Sequence, residues 1–347
     1  MAMEVGIVAS EGSCHTEYLS AEDDENLRHA ADVILRGGLV IFPTETVYGI
    51  GADALDADAA GKIYAAKGRP SDNPLIIHLA EPEDAEKYAY TSELYYKLAE
   101  RFMPGPITVI LPKKDCIPDT VTGGLDTVAV RIPVERHAHR LIELAGVPIA
   151  APSANISGRP SPTSAEHCRH DMDGRVDIIL DGGMCSFGLE STIVKPDGRG
   201  GLKLLRPGAV TPDDLRTVCA DVEIDSAVFS KFSGIPEAPG MKYRHYAPDA
   251  RVIILDGDDS QVYSFLEDKQ DCGILCYRED KPLLGFKNAM VIGSRYSPAE
   301  QAHLLFKCLR EFQGVDTIYA RMPSGGGIGL AVFNRLVKAA GYDILKL

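Results

Sequence analysis

Tryptophan is absent from the 347 residues, and no apolar run approaches the ~18 residues that a membrane-spanning helix needs. With 45% hydrophobic residues, the chain reads as an ordinary soluble protein, long enough for one large domain or two smaller ones. The opening stretch MAMEVGIVASEGSCHTEY is too polar for a secretory signal and too poor in basic residues for a transit peptide, so a cytoplasmic protein is expected. Lysine and arginine total 36 against 50 acidic residues, a net charge of −14, with no basic run. Affinity for long RNA or DNA comes largely from cations on phosphates, so tight nucleic-acid binding is not expected. The 8 cysteines are scattered, with no CxxC and no His/Cys cluster of zinc spacing. They read as free core thiols, and no protein-held metal is expected. HExxH and GxSxG are also missing. The glycines from Gly325 to Gly329 are followed by no Lys-Ser/Thr and read as a tight turn.

What the chain does have is alternation of helical and strand patterns, twice over. In the first half, SAEDDENLRHAADVILRGG suggests a helix capped by Ser20, and LVIFPTETVYGIGA a buried strand entering a Pro/Thr/Gly loop. SPTSAEHCRHDM suggests a helix capped by Thr163 with Glu166 at its third position. Several strands follow one another without an intervening helix, which predicts a mixed twisted sheet in an α/β domain over residues 1–229. From Arg251 the alternation restarts, predicting a smaller Rossmann-like α/β domain over 251–347, with a helix capped by Ser297. Residues 230–250 lie between. This stretch is rich in Gly and Pro, yet it carries KYRHY, an aromatic and basic cluster that a passive linker would lack. It is expected to form a lid. His137, His139, His167 and His170 lie at helical spacings among polar neighbours and read as exposed.

Three segments point to a ligand. FPTETVYG, Phe42 to Gly49, follows a strand, and open α/β sheets commonly bind ligands past strand carboxyl ends. A self-satisfied turn is the plainer reading. KGRPSDNP places Lys67 and Arg69 one residue apart in a turn stiffened by Pro70 and Pro74. Like charges so close are disfavoured unless solvent or an anion separates them. An Arg fork and a Lys point charge suit a polyphosphate, whereas a solvated surface turn would need no ligand. APSANISGRPSPTS offers Ser153, Asn155, Ser157, Ser161 and Thr163 as donors on small residues that let a ligand near the backbone, or simply as a helix-capping region.

Together FPTETVYGIGADA, KGRPSDNPLIIH, FMPGPITVIL, VAVRIPVERHAHRLI, IAAPSANISGRPSPTSAEH, STIVK, LLRPGAV and APGMKYRHYAP resemble, in order, the motifs of threonylcarbamoyl-AMP synthases with a YrdC-like catalytic domain. The resemblance spans roughly residues 20–250, and the remainder matches the family's two-domain branch in layout more than in motif. It implies that ATP, L-threonine and bicarbonate give threonylcarbamoyl-AMP and pyrophosphate, with Mg2+ carried by the ATP phosphates. A separate transferase complex would then modify tRNA. It further implies a catalytic set of Lys67, Arg69, Ser153 and Asn155, with Asn73, Thr127, Ser161, Arg206 and Tyr246 as additional nucleotide contacts. Thr44, His78, Arg131, Ala151 and Ser191 would form the threonine pocket, Arg131 facing the carboxylate. Two rivals come with the same fold: a double-stranded RNA-binding module, and a carbamoyl transferase using carbamoyl phosphate. On this reading Lys67 and Arg69 serve a ligand, so their loss should leave the thermal midpoint nearly unchanged.

Overall fold

The computed structural model describes residues 15–231, 234, 236–239, 245–285 and 288–347. Eleven strands build the first sheet: β1 (Glu17–Ser20), β2 (Val40–Phe42), β3 (Gly49–Asp53), β4 (Ile76–His78), β5 (Ile107–Pro112), β6 (Thr127–Arg131), β7 (Ile149–Ala150), β8 (Ile178–Asp181), β9 (Thr192–Pro196), β10 (Leu202–Arg206) and β11 (Val222–Ile224). Their order is β1-β8-β2-β3-β7-β4-β6-β5-β9-β10-β11, with parallel and antiparallel pairs mixed. VIF, IIH and ITVIL are buried throughout because helices cover both faces of the sheet. On one face α1 (Asp24–Leu35) and α6 (Arg136–Ala145) bury Ala30, Ile34, Leu141 and Ile142 against Val40, Phe42 and Ile178. On the other, α2 (Ala57–Lys67), α4 (Glu93–Phe102) and α7 (Ala165–Met172) bury Ile63, Tyr64, Leu98 and Met172. The short turns α3 (Ala85–Tyr88), α5 (Asp119–Thr122) and α8 (Pro212–Arg216) complete this unit.

The second sheet is fully parallel, in the order β14-β13-β15-β12-β16. Its strands are β12 (Arg251–Asp256), β13 (Gly273–Cys276), β14 (Ala289–Val291), β15 (Thr317–Arg321) and β16 (Ile344–Lys346), with α9 (Asp259–Glu267), α10 (Pro298–Glu311) and α11 (Gly329–Ala339). A parallel α/β layer is thus present as expected, although its first strand lies between the fourth and the fifth. The core of this unit does not stop at its own elements. Val47, Leu189 and Tyr246 pack into it among Leu305, Phe306, Leu309 and Val332.

Several local expectations shift. Ser20 ends β1, and α1 is capped by Asp23, which accepts from the Glu25 N–H at 2.9 Å. The cap of α7 is Ser164, accepting from His167 N–H, because the extended backbone continues one residue past Thr163. Ser297 caps α10 as expected. His137 is buried on the inner face of α6, with Nδ1 2.7 Å from Glu135 Oε1, whereas His170 is exposed. Among the described cysteines only Cys116 is exposed, and all are free. No helix of the described residues is long and apolar enough to cross a membrane.

Candidate active site

A cleft opens on the first sheet. Ile76 and His78 both line it, and residues two apart on a strand share a face. Arg131, the cross-strand partner of His78, lines it too. The cleft therefore lies across a face of the sheet and not beyond a row of carboxyl ends. The mixed pairing β2-β3-β7-β4 reverses direction at each step and leaves no such common row.

One wall is the loop after β7. Ser153 Oγ donates to Asn155 Oδ1 at 2.6 Å, and the Asn155 amide donates to Ile156 O and Arg159 O. Lys67, the last residue of α2, is 1% exposed and drives its ammonium into this loop, bonding Ser153 O and, at 2.5 Å, Asn155 O. Burial, then the neighbouring Arg69, hold its pKa well below the ordinary lysine value. Gly68 follows at φ 60, which ends the helix and turns the chain so that Arg69 folds back over Asn73 O and Pro74 O (3.2 and 3.0 Å). The two cations are therefore each caged by carbonyls, and both reach the cleft.

The opposite wall carries the expected threonine residues. Thr44 Oγ1 donates to Val47 O (2.6 Å) and accepts from the Val47 N–H, which closes the loop after β2 on itself. Arg131 Nη2 pairs with Glu45 Oε1 at 2.7 Å, both groups buried. His78 sits edge-on to Phe42, with Nδ1 3.3 Å from Ile149 O. Burial and then Arg131 depress its pKa to about 3, so the ring is neutral. Arg206 donates to Ser191 O (2.9 Å) and Ser191 Oγ (3.1 Å), and burial lowers its pKa to about 10.

All the expected site residues line this cleft except Asn73 and Thr127. Asn73 is buried beneath Arg69, which bonds its carbonyl, and Thr127 sits four residues before Arg131 at the start of β6. Of the expected lid, residues 232, 233, 235 and 240–244 lie outside the described residues, including Lys242, Tyr243 and Arg244 of KYRHY. The flanking Pro239, His245 and Tyr246 line the cleft, and Ala247 N–H donates to Gly158 O at 2.9 Å. His245 Nε2 is buried without a hydrogen-bond partner, and burial with the surrounding cations keeps the ring neutral. Sequence reasoning missed His245, Arg159 and Glu190. The first two stand inside motifs already singled out, whereas Glu190 precedes one and gave no signal of its own. Glu190 is the only Asp or Glu among the lining residues, beside five Lys and Arg: Lys67, Arg69, Arg131, Arg159 and Arg206.

Fold and cleft together define a two-unit α/β protein that presents a cationic, hydroxyl-rich pocket on a mixed sheet. The family model described as "Telomere recombination", of the Sua5/YciO/YrdC group, matches residues 32–208, and the model described as "Threonylcarbamoyl-AMP synthase, C-terminal domain" matches residues 210–341. The chain belongs to the threonylcarbamoyl-AMP synthase family in its two-domain form. It is 46% identical to the threonylcarbamoyl-AMP synthase of Pyrococcus abyssi, over 94% of this chain and 97% of that one. Identity to the Bacillus subtilis threonylcarbamoyl-AMP synthase is 41%, over 95% and 97% of the two chains. The crystal structure of P. abyssi Sua5 complexed with L-threonine superposes with a TM-score of 0.88 at 44% identity, covering 96% of this chain and 99% of that one.

Proposed function

We propose that this protein condenses L-threonine, bicarbonate or CO2, and ATP into threonylcarbamoyl-AMP and pyrophosphate. The observation that carries the reading is the cleft's lining: five Lys and Arg beside one carboxylate, Glu190, with Glu45 and Asp171 pairing Arg131 and Arg159 from behind, in a chain of net charge −14. That arrangement suits a compact polyanion together with an amino acid. Arg131, backed by Glu45, presents a guanidinium edge for the threonine carboxylate, and Thr44, His78, Ala151 and Ser191 enclose the side chain. The threonine amine attacks CO2, forming the carbamate with loss of a proton. A carbamate oxygen then attacks the α-phosphorus of ATP, and the bond to the pyrophosphate oxygen breaks. Negative charge grows on the departing pyrophosphate and the phosphoryl oxygens. On this reading Lys67, Arg69, Ser153 and Asn155 neutralise it, and the hydrogen-bonded loop after β7 supports that role by holding them before reaction.

No group of three or more His, Cys, Asp or Glu able to hold a metal occurs among the described residues. On this reading Mg2+ enters with the substrate, as MgATP. The product passes to a tRNA threonylcarbamoyl transferase complex, and the synthase needs no tight hold on tRNA itself, in keeping with a cytoplasmic enzyme. Neither rival, RNA binding or carbamoyl-phosphate chemistry, is supported by the relatives' assignments. The test is pyrophosphate release from MgATP: it should require both threonine and bicarbonate. Equal release without threonine would overturn the assignment.

A further inference from the structure

Arg335, on α11 of the C-terminal unit, is fully buried, although a guanidinium so placed is costly unless every donor is met. Among the described residues it makes four hydrogen bonds, one to its neighbour Asn334 (Nη1 to Oδ1, 3.0 Å) and three to cleft segments. Nε pairs with Glu190 Oε2 at 2.8 Å, Nη2 reaches Glu190 O at 3.3 Å, and Nη1 donates to Pro207 O at 2.9 Å. Its guanidinium carbon, Cζ, lies over the Tyr246 ring, 5.6 Å from the centroid. The other oxygen of Glu190, Oε1, accepts from Ser161 Oγ. Each contacted segment carries an expected nucleotide residue: Ser161 through Glu190, Arg206 beside Pro207, and Tyr246 itself. Arg335 does not line the cleft. Packing alone would be served as well by a large apolar side chain.

We propose that Arg335 is a positioning residue through which the C-terminal unit sets the nucleotide side of the cleft, by pinning Glu190, the turn at Pro207 and the Tyr246 ring in one arrangement. This rests on the synthase reading above. Without Arg335, Glu190 would lose its ion-pair partner and be left to Arg206 and the ATP pocket, and Ser161 would follow it.

The experiment uses the full chain and measures KM for ATP, KM for threonine, kcat per folded molecule and thermal midpoint. Arg335→Met should raise the ATP KM about tenfold or more, the scale of one lost charged hydrogen bond, and change the threonine KM by less than about threefold. Arg335→Lys, which can meet Glu190 but not Pro207 and Tyr246 together, should fall between. Arg335→Met with Glu190→Gln removes the orphaned charge. It should recover most of the thermal midpoint but not the ATP KM, and it keeps the test alive if the single variant does not fold. A midpoint loss with both KM values unchanged, an equal rise of both, or full recovery of ATP KM in the double variant would each overturn the proposal. If the unaltered chain itself shows no threonine- and bicarbonate-dependent pyrophosphate release, the synthase reading has failed instead.

Discussion

Lys67 and Arg69 tolerate their closeness because each has its own carbonyl acceptors, and this changes what their loss should do. Removing the Lys67 ammonium leaves Ser153 O and Asn155 O without a buried donor, at about 1–3 kcal/mol for each unsatisfied group. Lys67→Met should therefore lower the thermal midpoint as well as turnover, contrary to the expectation that this lysine serves a ligand alone. Arg69 is only partly buried and braces its own turn, so Arg69→Ala should cost turnover about 10²-fold with a small change in midpoint. Circular dichroism melts beside initial rates separate the two. A Lys67→Met protein as stable as the original would mean that the loop after β7 holds itself. The type and turn of these cations were readable in the sequence. The Glu190–Arg335 pair was not, because its partners stand 145 residues apart and an arginine on an amphipathic helix looks like a surface charge.

His78 brings a pH dependence whose sign follows from its burial. Its folded pKa is about 3 against an ordinary 6.5. Between those values the unfolded chain binds a proton that the folded chain does not. Stability therefore falls as pH drops from 6.5 towards 3, by up to about 1.4 kcal/mol per pH unit for one proton. His78→Asn should flatten the decline of thermal midpoint between pH 6.5 and 4 relative to the unaltered chain. Identical slopes would show that the ring is not held neutral in the fold.

At the scale of elements, β2 with its continuous apolar run and α10 with its clear cap were legible. Those whose signal is tertiary were not: β16 is three exposed residues that pair at an edge beside β12, and β1 and β11 are similarly short. The segment between the units lay between these cases. Its aromatic and basic content marked it as touching something, and Tyr246 meets that expectation by packing on Phe306 at 5.1 Å while lining the cleft. Tyr246 holds φ 65, a backbone state that non-glycine residues adopt only when their surroundings fix it. As a lid residue it would help keep water from a reactive adenylate. Tyr246→Ala in the full chain should weaken ATP binding and shorten the time the adenylate stays on the enzyme, read by calorimetric titration and by rapid-quench assay. Unchanged values for both would reduce the segment to a tether.

For the whole molecule, the cleft and the C-terminal unit share a core. Phe187 N–H and Gly188 N–H donate to Glu45 O and Thr46 O, so the loop before β9 is laced to the loop after β2, and the same loop sends Leu189 into the core of the C-terminal unit. Gly188 lies so close to α10 that a Cβ would stand 2.6 Å from His303 O, at a φ of 90. A second clasp joins α10 to α7: Arg310 donates to Asp171 Oδ2 at 2.8 Å and Pro160 O at 3.0 Å, and against burial it acts with His170 and Arg159 to hold the Asp171 pKa near 2. Melting the C-terminal unit alone would uncover Val47 and Leu189 and strip Arg335 from Glu190 and Arg310 from Asp171. The two units should accordingly unfold together, as one calorimetric transition whose van't Hoff and calorimetric enthalpies agree. Gly188→Ala forces the interface apart by steric contact and a strained φ without touching a cleft side chain. It should split or broaden that transition and lower affinity for ATP in the same variant. Two separate transitions in the unaltered chain, with full activity surviving the first, would show that the C-terminal unit is an appendage and not part of the active-site wall.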